Sequence, residues 1–147
     1  MSNFGASLIN KMASGGQTVE FAHITEDSGM VTGADGNRIY YSDDFLSGGE
    51  DLEGDEAATM TFDVVLVHEL GHTNAGAAAE GQTTIMGKSP TTSINSSGEV
   101  TFTRYKNYAE EFRAVRFFEN RYRQELGLPL RRSYFDVNDV PKPLVGN

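Results

Sequence analysis

The sequence has 147 residues, a formal charge of −9, sixteen glycines and no cysteine. That length suits one domain over residues 1–147, long enough to bury a core and too short to divide. The missing cysteine excludes disulfide staples, thiolate metal sites and a Cys nucleophile, while the negative charge argues against nucleic acid or an anionic membrane as the main partner and suits basic peptides or proteins better.

In chain order, Met1 to Asn10 lacks both the basic start and the long apolar centre of a conventional signal peptide, which leaves export by another route or removal from a larger polypeptide. No stretch is long and apolar enough to span a bilayer. Residues 2–14 predict a short helix with Phe4, Leu8 and Met12 on one side, stopped by Ser14-Gly15-Gly16. Thr18 to Thr25 alternates apolar and polar residues as a half-buried strand does, and Arg38-Ile39-Tyr40-Tyr41 reads as a second strand. Between them Ala34-Asp35-Gly36-Asn37 is a strong turn signal, so a hairpin is expected. The second strand is a candidate edge for pairing with a peptide substrate; covering the core is the alternative. Residues 43–56 hold Asp43, Asp44, Glu50, Asp51, Glu53, Asp55 and Glu56 and no base, which reads as a solvated loop or as a cleft rim that attracts basic substrates.

The chain then delivers Asp63-Val-Val-Leu-Val-His68-Glu69-Leu70-Gly71-His72, on a helix expected to start near Asp55 or Thr59 and to run to about Ala75. Positions i and i+4 share one helix face, so His68 and His72 aim two imidazoles at one point, a bite for one metal ion. Glu69 sits about 100° round the helix, placed to reach a water on that ion as general base. Zinc fits best: two imidazoles, an oxygen ligand and an open position make a tetrahedral catalytic site, and there are no thiolates. The alternative is an amphipathic core helix with two incidental histidines.

A polar segment rich in Gly, Ser and Thr follows, ending near Gly98, and Glu99 to Tyr105 alternates as a strand whose partner is expected at Thr83-Thr84-Ile85-Met86. Asn107 to Leu126 predicts a long helix stopped by Gly127 and Pro129, with Tyr108, Phe112, Val115, Phe118, Tyr122 and Leu126 in one stripe. Glu111 falls inside that stripe. A carboxylate on a buried face costs several kcal/mol unless something positive compensates it, and a nearby metal would do so. Glu111 is therefore the expected third ligand, with Glu110 on the flank as runner-up, and a surface bridge to Arg113 or Arg104 as the alternative for either. An oxyanion donor is also needed, and Tyr105, Tyr108 and Tyr134 are the tyrosines to consider, Tyr134 being taken. His23, alone on a strand, reads as structural or surface. Arg121, Arg123, Arg131 and Arg132 read as a basic, solvated face, or one that pairs with the acidic loop or a partner.

The set His68-Glu-Leu-Gly-His72, Glu110-Glu111, Ala114-Val-Arg116, Glu119-Asn120-Arg-Tyr-Arg123 and Glu125-Leu-Gly-Leu-Pro-Leu-Arg131 with Tyr134 resembles the NleD-like zinc metallopeptidase family. That family contains type III secretion effectors and toxin domains at the C-termini of Rhs-type polymorphic proteins. The resemblance covers roughly residues 35–135. It implies a zinc protease translocated into a target cell, where it cuts host proteins such as signalling kinases, with a cognate immunity protein as a further partner. The fold expected is α+β, a compact zincin-like domain whose His-Glu-x-x-His helix and second long helix pack on a small, mostly antiparallel sheet. Two rivals stand beside it. One is an HExxH peptidase that cleaves phage-type repressors; the other is a catalytically silent, zinc-containing protein-binding module, against which Glu69 argues because a structural site needs no general base.

Overall fold

In the computed structural model, residues 3–24, 30–33, 36–42, 61–82, 92–94, 100–102, 108–135 and 141–143 are described. Helix α1 (Phe4–Ser14) forms as the apolar spacing predicts: the Asn3 side chain accepts from the Ala6 amide, and Phe4, Leu8 and Met12 are buried. The strands β1 (Glu20–Ile24), β2 (Met30–Thr32) and β3 (Arg38–Ser42) make one sheet in the order β1-β3-β2.

The hairpin expectation fails in an instructive way. Ala34 and Asp35 lie outside the described residues, but the Gly33 amide donates to the Arg38 carbonyl and Gly36 has φ +71°, and β3 pairs there with Met30–Thr32, a triplet too short to show alternation. That triplet takes the antiparallel edge of β3, with Thr32 opposite Ile39, so β1 pairs with the other edge in parallel, Phe21 opposite Ile39. The central sheet is therefore mixed, not simply antiparallel. Since β3 has a neighbour on both sides, Arg38-Ile39-Tyr40-Tyr41 has no free edge and does not bind a substrate by strand pairing. Nor is β1 half-buried: of its five residues only Ile24 is buried, and Phe21 is 54% exposed.

Helix α2 (Phe62–His72) carries the His-Glu-x-x-His pattern and starts after Thr61; Asp55 and Thr59 lie outside the described residues, as do residues 43–56. It does not continue to Ala75. Thr73 is extended and caps a separate helix, α3 (Asn74–Ala79), its hydroxyl donating to the Leu70 carbonyl (2.7 Å) and accepting from the Gly76 amide (2.9 Å). The Asn74 amide in turn donates to the Gly36 carbonyl (2.8 Å), tying the β2–β3 turn to α3.

Strand β5 (Val100–Phe102) pairs antiparallel with β4 (Thr92–Ile94); the expected partner Thr83–Met86 lies outside the described residues. The second long helix is present as α4 (Tyr108–Ala114), a π-helical turn (Val115–Glu119) and α5 (Asn120–Leu126), stopped by Gly127. Strands β6 (Ser133–Phe135) and β7 (Pro141–Pro143) pair antiparallel, and β6 lies beside α4. The architecture is α+β.

Phe4, Leu8, Met12, Met30, Ile39, Val65, Val67, Leu70, Ala75 and Phe118 form the core between α1, the central sheet, α2 and the π turn. Phe118 meets Phe4 edge-on at 6.3 Å between ring centroids. It also lies against Gly71, where a Cβ would come within 2.8 Å of its ring, so the absence of a side chain there sets the spacing of the two helices. None of the described helices is long and apolar enough to cross a membrane.

Candidate metal centre

Residues from α2 and α4 meet on the buried side of both helices. The His68 Nε2 lies 3.1 Å from the His72 Nε2, and the Glu111 Oε2 lies 3.1 Å from the first and 3.2 Å from the second. A tetrahedral zinc with bonds of about 2.0–2.1 Å needs ligand atoms roughly 3.3 Å apart, so this near-equilateral triangle fits such an ion. The three are the residues expected from the sequence, and their ligand atoms lie within 4.8 Å of one another. Both histidines are buried; Glu111 keeps partial exposure, with 19% of its side chain accessible.

The chemistry of the other ring nitrogens decides what the triangle is. The His68 Nδ1 is 2.8 Å from the Glu119 Oε2, and the His72 Nδ1 is 3.4 Å from the Glu110 Oε1. A carboxylate can only accept, so each Nδ1 carries a hydrogen and each Nε2 of the neutral ring offers a lone pair. In that neutral form two lone pairs and the Glu111 oxygen converge, a donor set that suits a cation. Without a metal ion, protons serve instead. Burial pushes both imidazoles down, but hydrogen bonds to Glu111 and Glu119 hold His68 up at about 9, and the charge of Glu111 with hydrogen bonds to Glu110 and Glu111 holds His72 up at about 10. Burial pushes Glu111 up, yet the two histidines bring it well below the usual carboxylate range.

Glu110 is not part of the triangle. It is buried against Arg113, whose Nε donates to it at 3.1 Å and whose Nη2 bonds both Glu110 Oε1 and the Gly71 carbonyl. Its place is behind His72 rather than at the metal.

Glu119 is the functional residue that helical periodicity missed. At about 100° per residue it would sit roughly 80° round the helix from Glu111, off the site; the π turn takes up one extra residue and reduces that offset to roughly 20°. A π turn leaves no pattern in the sequence, and the only signal was the Glu-Asn-x-x-Arg motif. Beyond the π turn the last member of the apolar stripe leaves the core, and Leu126 is 45% exposed. In its place comes Arg123, fully buried, with its Nε 2.8 Å from the Glu119 Oε1, while the buried Arg131 reaches the Glu119 Oε2 at 3.2 Å. The expectation of a solvated basic face therefore fails for these two arginines, because they are paired inside; Arg121 and Arg132 are exposed, and Arg121 pairs with Glu80. Burial raises Glu119, but the His68 contact and the charges of Arg131 and Arg123 bring it down to about 2.

Glu69 is buried at the edge of the site, where its Oε2 accepts from the amide (2.8 Å) and the hydroxyl (2.7 Å) of Thr32 on β2. Tyr105 lies outside the described residues, Tyr108 opens α4, and Tyr134 lies in β6. His23 is exposed on β1, edge-on to Tyr41 and away from the site. Comparison of the chain with protein-family profiles, with characterised proteins and with solved structures gives no match.

Proposed function

We propose that the chain is a zinc metalloendopeptidase of zincin-like fold, related to the NleD-like family and acting on proteins of a cell into which it is translocated. The observation that carries this reading is the triangle of His68, His72 and Glu111 beside a carboxylate, Glu69, that belongs to neither the triangle nor its supports. The histidines and Glu111 would hold zinc. When bound, zinc supplies Lewis acidity and makes a water nucleophilic near neutral pH. Both Thr32 donors go to the Glu69 Oε2, so Oε1 is the oxygen that can take the proton of that water and return it to the leaving amine. Tyr134 would be the donor to the developing oxyanion. The net charge of −9 favours cleavage next to Lys or Arg, at a rate that falls with salt.

Glu69→Gln tests the reading. The variant should still fold and its zinc content should match the wild type while peptide hydrolysis falls by about 10²–10⁴-fold. Equal activity in Glu69→Gln would refute the mechanism. A wild-type protein that binds zinc but cleaves nothing in a broad protein panel would favour a non-enzymatic binding module.

A further inference from the structure

We infer that Glu119 is the positioning residue of the metal centre and that it ties metal retention to the chain beyond α5, Gly127–Arg131; this rests on the reading of His68, His72 and Glu111 as metal ligands. The Glu119 carboxylate is fully buried and has three partners: the His68 Nδ1 at 2.8 Å, the Arg123 Nε at 2.8 Å and the Arg131 Nη1 at 3.2 Å. Both arginines link the helix to the segment that follows it. The Arg123 Nη1 donates to the Pro129 carbonyl at 3.1 Å, and the Arg131 backbone exchanges two bonds with the Asn120 side chain, at 2.8 and 3.0 Å.

A cluster that only held helices together could be replaced by apolar side chains, often without loss of stability, because buried ion pairs bring large desolvation costs. This cluster has one product that apolar residues cannot supply. The guanidinium groups hold the Glu119 carboxylate fixed in rotation, so it accepts from the His68 Nδ1 and turns the His68 Nε2 toward His72 and Glu111. Glu119 also stands as the negative charge that offsets Arg123 and Arg131, two cations close to a site meant for a third. His72 has a similar support in Glu110, but the contact is longer, 3.4 Å against 2.8 Å. Glu119 is thus the stronger of the two supports, and among the described residues its network runs on to Pro129 and Arg131.

The test measures zinc affinity of the full chain by competition with a chromophoric chelator, together with long-range proton–nitrogen NMR of the histidine rings. In the zinc-loaded wild type, His68 is expected to carry its proton on Nδ1. Glu119→Gln is expected to weaken zinc binding by about 10–100-fold, the usual range for removing the partner of a ligating histidine, and Glu110→Gln by less. If Glu119→Gln does not fold, Arg131→Lys, which keeps the charge and loses the fork, is expected to weaken zinc binding by about tenfold, at the low end of that range, and to speed exchange of the His68 Nδ1 proton. A His68 ring protonated on Nε2 in the zinc-loaded wild type overturns the inference, as does zinc affinity in Glu119→Gln within twofold of wild type. A wild-type chain that takes up no zinc overturns the metal reading itself, whatever Glu119 does.

Discussion

Thr32 donates its amide to the Glu69 Oε2 at 2.8 Å, and its single hydroxyl hydrogen is shared between that oxygen, at 2.7 Å, and the Glu69 carbonyl, at 2.9 Å. The donors come from a three-residue strand and the acceptor from α2, so this pair is where the central sheet fixes the rotation of the proposed general base. Thr32→Val keeps the amide and nearly the volume while removing the hydroxyl. Hydrogen bonds to charged groups contribute about 1.5–3 kcal/mol, and urea unfolding should show a loss of that order. Zinc content should not change, and hydrolysis should slow. Unchanged stability would mean that the hydroxyl contact is idle.

Glu110 and Glu111 are neighbours in sequence with different duties. Glu111→Ala should abolish stoichiometric zinc, since it removes a corner of the triangle. Glu110→Gln should retain zinc with weaker affinity, because its contact is with the far nitrogen of His72. Metal analysis after dialysis decides between them, and zinc lost from Glu110→Gln but retained in Glu111→Ala would reverse the assignment.

The unmetallated protein should have a narrow pH range of greatest stability. His68 and His72 are raised from 6.5 to about 9 and about 10, so their contribution is complete below pH 6.5 and is lost as pH rises through 9 to 10. Glu119 is lowered from 4.5 to about 2, so its contribution is complete above pH 4.5 and is lost as pH falls through 2. Both are in place between about pH 4.5 and 6.5. Zinc replaces the imidazole protons and should remove the alkaline decline. Melting temperatures measured against pH, in chelator and in zinc, check this; parallel curves would contradict it.

Gly71→Ala places a methyl group 2.8 Å from the Phe118 ring. Overpacking of this kind costs about 1–3 kcal/mol. Since Gly71 lies between His68 and His72 and its carbonyl accepts from Arg113, the shift should also weaken zinc binding. Urea titration and chelator competition read the two effects, and wild-type values in both would show that the helices can separate freely.

What was legible in the sequence was what a single helix fixes. The i, i+4 spacing put His68 and His72 together before any tertiary contact was known, and a carboxylate on an apolar stripe was enough to choose Glu111. Glu119 escaped the same reasoning because the π turn changes the phase between it and Glu111. Arg123 and Arg131 escaped because an arginine reads as solvated until its buried partner is known. The order β1-β3-β2 depends on which edge of β3 a three-residue strand occupies, and no local pattern encodes that choice. The break at Thr73 was hidden by an alanine-rich run that favours continued helix, against which the Thr73 cap prevails.

The reach of Arg131 back to Glu119 also sets a timetable for synthesis. A ribosome releases His68 and His72 first, then the carboxylates of the second long helix, and Arg131 only afterwards. Until that last side chain has emerged, Glu119 lacks one of its two cations and is less firmly held in the charged form that fixes the His68 ring. A nascent chain paused between Leu126 and Arg131 therefore carries all three proposed ligands but an unfinished support. On this timetable, firm capture of a metal by the proposed site follows the emergence of Arg131.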